Sequence, residues 1–415
     1  MKKITIIGGG ITGCLVSLYF SKLGFQVEIF EKKKSLGGVI NDFEKNDDFY
    51  FNGPNYFNYG NWWIKELESD LIFKDIFSKF RLKYGSFNDL FDEDIFYNDY
   101  AQIVSLNKFT YLDTKNFELY DERINCYQTE ISEKVLNWSK KFCKNHDKLH
   151  SDCALIMNTG RVYFPNNINQ IIKLKSESNI ADKILGVPNS SYSNEIYCVP
   201  KLGFKYFFKK LEIFLKKKKI NINLNSNITI QNEGKIRLFN RNDEVQYDHV
   251  IWCASPVLLL KKTKIGDLDN PVLICVTVFL DIELNEDFIG NKYIQVFSKK
   301  FNLFRIFIYD LNKKTKLSLE IFQDKNIDIK AEIQFAIKIL NKTGFSIKKY
   351  IYIDERREFR HMLFTLNDLN KIRSFENKQS EFQITSGGWL EIGRENKINH
   401  IIKNVNKCMK LNETK

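Results

Sequence analysis

The chain has 415 residues, 43% of them apolar and 27% charged, which excludes a disordered chain and accommodates one large or two medium domains. Its formal net charge of +12 is compatible with an anionic small substrate. The lysines are scattered, however, apart from short runs such as Lys32–Lys34 and Lys216–Lys219, so solvated faces are expected and no nucleic-acid partner.

The first stretch organises the rest. A β-branched run, Ile4 to Ile7, breaks at Gly8-Gly9-Gly10 and predicts a strand and a tight turn. A helix-period segment runs from Ile11 to about Leu23 and ends at Gly24. A second apolar run (Val27, Ile29, Phe30) closes on Glu31. Gly8-x-Gly10-x-x-Gly13 at the first turn of a βαβ unit, with an acid after the second strand, is a dinucleotide-binding arrangement. Gly8 permits the turn, Gly10 lets backbone approach a pyrophosphate, and Gly13 lets helix and strand pack closely. The helix N-terminus offers unpaired N–H groups to the phosphates, and Glu31 accepts from a ribose. A signal peptide or membrane span does not fit. Three glycines, Ser17, Ser21 and Lys22 interrupt the apolar run, no cleavage site follows, and no comparable run occurs elsewhere. No transmembrane segment is expected.

Downstream, Leu36-Gly37-Gly38 is either backbone folding over a cofactor or an ordinary turn. An aromatic segment around Gly53-Pro54-Asn55-Tyr56-Phe57 leads to Trp62-Trp63, and taken alone reads as core. Residues 64–150 predict helices over 64–81 and 130–145 and show no chemistry. His146 and His150, at i and i+4, predict an exposed helix face. Residues 160–172 pair Arg161 with a Pro-Asn-Asn turn and a helix start. Residues 196–219 read as strand, turn and amphipathic helix, 220–230 as a strand, and 250–256 as a buried strand ending at a small-residue turn. From 271 to 353 successive strands, a helix over about 329–343 and a further strand predict a mainly antiparallel region. Ser386-Gly387-Gly388-Trp389 then precedes a helix through about 410. The eight cysteines form no Cys-x-x-Cys and the five histidines no metal pattern. Reduced thiols, a reducing cytoplasm and no metal site are expected.

The fold class from this order is α/β plus α+β. It combines a Rossmann-like cofactor domain with a second domain built on a mainly antiparallel sheet plus inserted helices. The cofactor domain is expected to be discontinuous, over 1–60, 196–256 and 380–415. The substrate-binding region is expected over 61–195 and 257–379.

In order, Gly8-x-Gly10-x-x-Gly13, Glu31 and Leu36-Gly37-Gly38 resemble the FAD-dependent amine oxidase-like superfamily, which includes amine oxidases, protoporphyrinogen oxidase, phytoene desaturases and UDP-galactopyranose mutase. The resemblance implies FAD as cofactor and extends the binding set to Ile11, Thr12, Lys32, Gly53, Pro54, Asn55, Ile228, Ala254, Gly388 and Arg394. It also implies hydride transfer from a small metabolite to the flavin, without a Ser-His-Asp or paired-carboxylate constellation. Aromatic candidates for the wall facing the flavin are Tyr56, Phe57 and Trp389. Arg161 and Arg360 are candidates to face an anionic substrate; otherwise Arg161 is a surface charge and Arg360 pairs with Glu355 or Glu358.

Two segments, Gly53-Pro54-Asn55-Tyr56-Phe57 and Phe164-Pro165-Asn166-Asn167-Ile168, are similar to turns of UDP-galactopyranose mutase. That keeps open a flavin-dependent isomerase of a nucleotide sugar. Trp389 stands where that enzyme has an arginine after two glycines, which also keeps open a non-catalytic flavin-binding partner protein.

Overall fold

The computed structural model describes the chain except residues 92–93, 98–99, 103–116, 126–128, 142, 144, 160–161, 163–167, 178–186, 190–195, 233–235, 270–271, 289, 312–313, 324–326 and 411–415. The opening strand Lys3–Ile7 lies at the centre of a five-stranded sheet. Its strand order is Asn221–Asn223, Gln26–Phe30, Lys3–Ile7, His249–Trp252, Ile384–Ser386, and every pairing is parallel. Parallel strands are covered on both faces, which is why they read as near-continuous apolar runs. Ile4, Ile6, Val27, Ile29 and Ile251 face one way, into a core shared with the helices Ile11–Lys22, Gly203–Lys217 and Arg394–Met409. Ile7, Phe30, Val250 and Trp252 face the other way, into a core closed by Leu259, Phe364, Ile372 and Phe375. The alternation follows from the two-residue period of a strand.

A second sheet has seven strands in the order Ile347–Met362, Val272–Leu284, Lys314–Phe322, Leu303–Leu311, Asn291–Phe297, Lys83–Asn88, Ile95–Tyr97. It is antiparallel except where Asn291–Phe297 runs parallel to Lys83–Asn88. The helix Ile329–Lys342 packs on one face through Ile333, Ala336, Ile339 and Leu340. On the other side, Phe51 stacks on Tyr309 with ring centroids 4.7 Å apart, so the aromatic segment joins the core between the sheets.

The region before residue 150 departs from the sequence expectation. Instead of one helix over 64–81 there is a helix Trp62–Glu68, a single 3₁₀ turn Leu71–Phe73 and a strand Phe77–Phe80. Asp70 stops the helix by accepting the Ile72 N–H, and the strand is claimed by cross-strand pairing to Tyr197–Pro200. The second expected helix runs Thr129–Lys140. His146 is not on an exposed helix face; it is buried, with Nδ1 2.6 Å from Asp121. Among the described residues, no helix is long and apolar enough to cross a membrane.

Candidate functional site

The turn after the first strand is built for close backbone approach. A Cβ on Gly13 would lie 2.1 Å from the Gly8 carbonyl oxygen, so only glycine lets the Ile11–Lys22 helix sit on the strand. A Cβ on Gly10 would meet nothing within 4 Å. Gly10 is also the N-cap of that helix and offers no side-chain cap, leaving the first-turn N–H groups open to a ligand. Buried Glu31 sits directly beside the turn. Its Oε2 accepts from the Gly9 N–H at 2.7 Å and its Oε1 from the Lys33 N–H at 2.8 Å, each oxygen keeping a lone pair for a further donor. Gly9, which the motif leaves unspecified, is itself constrained, because a Cβ there would reach 2.6 Å from Leu36 Cδ2.

The Gly37-Gly38 pair lies on this turn rather than apart from it. Gly37 N–H donates to Gly9 O at 2.9 Å, and a Cβ on Gly38 would be 3.3 Å from Gly10 Cα. Asn225 and Ser226 donate to the carbonyls of Lys33 and Glu31, placing the start of the Ile228–Asn232 strand beside Glu31. Ile228 itself is buried in the core behind the sheet, and Lys32 is exposed.

From Thr12 a cavity of about 460 Å³ runs between the two sheets. The parallel-sheet side supplies Cys253, Ala254, Gly387, Trp389 and Lys397; the other side supplies His150, Ile156, Arg360, His361 and Met362. Gly388 has φ +66°, and a Cβ on it would lie 3.0 Å from the Lys397 Cα, so glycine lets the 387–389 turn pack against the start of the Arg394–Met409 helix. Trp389 Nε1 donates to Ala254 O at 3.0 Å and its ring packs 5.7 Å from Phe375, so its polar end is satisfied and its aromatic face lines the cavity. Burial, then neighbouring Arg394, holds the Lys397 ammonium below the ordinary lysine range.

Of the predicted residues, Thr12, Ala254, Trp389 and Arg360 line this cavity. Gly53 lies behind Arg360: a Cβ on it would meet Glu320 Oε1 at 2.4 Å and Arg360 Nη2 at 2.6 Å. Asn55 is turned inward, its Nδ2 donating to Asn52 O at 2.7 Å. Arg394 points to the neighbouring segment, with Nη1 3.3 Å from Tyr56 O and its guanidinium 4.8 Å from the Phe57 ring centroid. Burial lowers Arg394 to about 10, which leaves it protonated at neutral pH. Tyr56 contacts Tyr84 through its hydroxyl (3.0 Å) and Tyr197 through its ring, and Phe57 is fully buried in the same aromatic core. Arg161 lies outside the described residues.

Arg360 does not pair with Glu355 or Glu358. Its Nε lies 2.7 Å from Oε1 of Glu320, which faces it from the sheet, whereas Glu355 is held by Arg357 and Glu358 by Arg356. His150, His361 and Lys397 carry no signal in their local sequence; they meet only because three elements converge on one cavity. Burial pushes the Cys253 thiol up to about 12 and raises that of Cys153, so neither cavity-wall cysteine is a thiolate nucleophile.

The NAD(P)-binding Rossmann-like domain family matches residues 6–80. A 4,4'-diaponeurosporene oxygenase of Staphylococcus haemolyticus (strain JCSC1435) is 25% identical over 150 residues, covering 34% of this chain and 27% of that protein. Among solved structures, reduced UDP-galactopyranose mutase superposes with a TM-score of 0.70 at 13% identity, covering 100% of this chain and 97% of that one. A putative protoporphyrinogen oxidase from Exiguobacterium sp. 255-15 gives 0.60 at 12% identity, with 99% of each chain covered. A putrescine oxidase variant gives 0.51 at 10% identity, again over 99% of each. Residues 6–80 therefore match the NAD(P)-binding Rossmann-like domain family, and the whole chain shares the fold of these solved structures.

Proposed function

We propose that the protein is an FAD-dependent oxidoreductase that moves a hydride from a small metabolite to the flavin. The observation that carries this reading is the continuity of the cavity. It begins at the bare N-terminus of the Ile11–Lys22 helix and ends at Arg360–Met362 on the second sheet. In this reading residues 1–60, 196–256 and 380–415 hold the cofactor, and 61–195 with 257–379 enclose the substrate. The local geometry fits FAD: open space over Gly10, a carboxylate at Glu31 with free lone pairs, and Gly387 lining the same cavity as Thr12.

Each residue then has a defined task. The first-turn N–H groups and Thr12 receive the pyrophosphate, and Glu31 accepts ribose hydroxyls. Gly10 and Gly38 keep side chains out of the cofactor's path, and the Gly387-Gly388 turn with Lys397 bounds it on the other side. Trp389, Met362 and Phe364 keep water away from the reacting carbon. When bound, the flavin supplies the redox chemistry. Burial keeps both cavity-wall cysteines as thiols, so neither serves as a thiolate nucleophile, and burial holds His150 below its ordinary pKa, which favours the neutral imidazole.

Stopped-flow spectroscopy of the purified protein tests this. Under anaerobic conditions the flavin absorbance should bleach with a reducing metabolite from an amine, porphyrinogen or polyene panel, and return on adding an acceptor. Substrate turnover by protein stripped of flavin would contradict it. A second reading, a flavin-dependent nucleotide-sugar isomerase, is favoured by the full-length superposition on reduced UDP-galactopyranose mutase. It requires turnover only after the flavin is pre-reduced, with no net oxidation of the sugar.

A further inference from the structure

The edge strand Ile347–Met362 slips register against Val272–Leu284. Leu273 faces His361 and Ile274 faces Phe359, so Arg360 is an extra, bulged residue. Consecutive strand residues ordinarily point to opposite faces, and a bulge re-aims them. Here it turns both Arg360 and His361 toward the cavity, while Phe359 is 71% exposed.

Behind them the charges do not balance. Glu320 is fully buried and lies between two guanidinium groups: Arg360 Nε is 2.7 Å from Oε1, and Arg305 Nη1 is 3.2 Å from Oε2. The next carboxylate along the strand, Glu358, is occupied by Arg356 and by Asn52 Nδ2 at 2.6 Å. Acidic groups on the cavity wall are paired as well, Asp152 with Arg123 at 3.6 Å and Glu391 with His400 at 3.1 Å. Three arginines (305, 356, 360) thus face two carboxylates (320, 358), leaving one buried positive charge in excess. Such a charge is expensive unless something compensates it.

Three buried nitrogen atoms there lack hydrogen-bond partners among the described residues, Arg305 Nε, Arg360 Nη1 and His361 Nε2, and the last two belong to residues that line the cavity. The side chain of Arg360 is only 9% exposed, its Nη2 donates to Asn52 O at 2.5 Å, and its Nη1 is left over. His361 is flanked by Phe304 and Phe322, and burial, with Arg305 and Arg360 nearby, keeps its imidazole neutral. In a well-packed interior, unpaired buried donors of this kind mark where a ligand group completes the site.

We propose that Arg360 and His361 form a subsite for one oxyanion group of the substrate, a carboxylate or a phosphate monoester. One oxygen accepts from Arg360 Nη1 and another from His361, with its proton on Nε2. The anion cancels the excess charge of the Arg305–Glu320–Arg360 cluster. The inference rests on the cavity being the substrate side of the proposed flavin site.

The test is isothermal titration of the purified protein with benzoate, phenyl phosphate and benzamide at constant chloride ionic strength. The wild type should bind benzoate or phenyl phosphate at least tenfold more tightly than uncharged benzamide, and the tighter of the two identifies the oxyanion class. Arg360→Met should fold, because Glu320 keeps Arg305, and should lose that preference. Arg360→Lys should retain part of it, and His361→Leu should weaken it several-fold. If Arg360→Met does not fold, His361→Leu carries the same comparison. Equal binding of all three compounds by the wild type overturns the subsite, as does unchanged selectivity in every folded variant. The visible spectrum of the same samples separates the two claims. Bound flavin without oxyanion selectivity removes only the subsite, and oxyanion selectivity without flavin binding removes only the flavin assignment.

Discussion

A Cβ on Gly13 would sit 2.1 Å from a backbone oxygen, whereas one on Gly10 would sit in open space. The two substitutions should therefore fail differently. Gly13→Ala forces the helix off the strand and should cost about 1–3 kcal/mol of stability, together with cofactor binding. Gly10→Ala changes only an N-cap, costing under about 1 kcal/mol, yet puts a methyl group where the pyrophosphate would lie. It should weaken flavin affinity at least tenfold at nearly unchanged denaturation midpoint. Flavin titration and urea denaturation of both variants check this, and equal flavin affinity in Gly10→Ala and wild type would contradict it. These glycines were legible in the sequence because each has a backbone reason tied to its spacing in one βαβ unit. The role of Gly9 was not, since it depends on Leu36 and Glu31 arriving from later in the chain. The partner of Arg360 was missed for the same reason. Sequence proximity pointed to Glu355 and Glu358, but antiparallel packing brought Glu320.

At the scale of elements, the strands His249–Trp252 and Ile384–Ser386 are joined by more than their backbone ladder. His249 is buried, its Nε2 lies 2.8 Å from Thr385 Oγ1, and burial lowers its pKa to about 4. The unfolded chain takes up this proton below its ordinary value of about 6.5, while the folded chain resists until about 4. Stability is therefore fully present above about pH 6.5 and falls as pH drops toward 4, by about 3 kcal/mol at this site. His249→Gln should flatten the acid limb of the urea midpoint against pH, and an unchanged slope would contradict the assignment. The antiparallel strands from 272 onward and the long C-terminal helix were legible because their apolar periods are strong. The segment 64–81 was not, because Phe77–Phe80 is a strand only by virtue of its partner Tyr197–Pro200.

Across the whole molecule, a parallel sheet drawn from separate stretches of chain faces a seven-stranded sheet, with the cavity between them. The order of motifs made both sheets foreseeable. The cavity's chemistry was less so, because His150, His361 and Lys397 come from a turn, a bulged edge strand and a helix start that nothing in their local sequence connects. The bare helix N-terminus, Glu31 and the open face of Gly10 all suit a bound dinucleotide, which the proposed function takes to be FAD. The most direct measurement is the visible absorbance of the purified protein, followed by mass spectrometry of the cofactor released on denaturation. A yellow protein that releases FAD in near one-to-one amount, with the colour lost in Gly10→Ala, is the expected result. A colourless protein that takes up no FAD when it is supplied would contradict it.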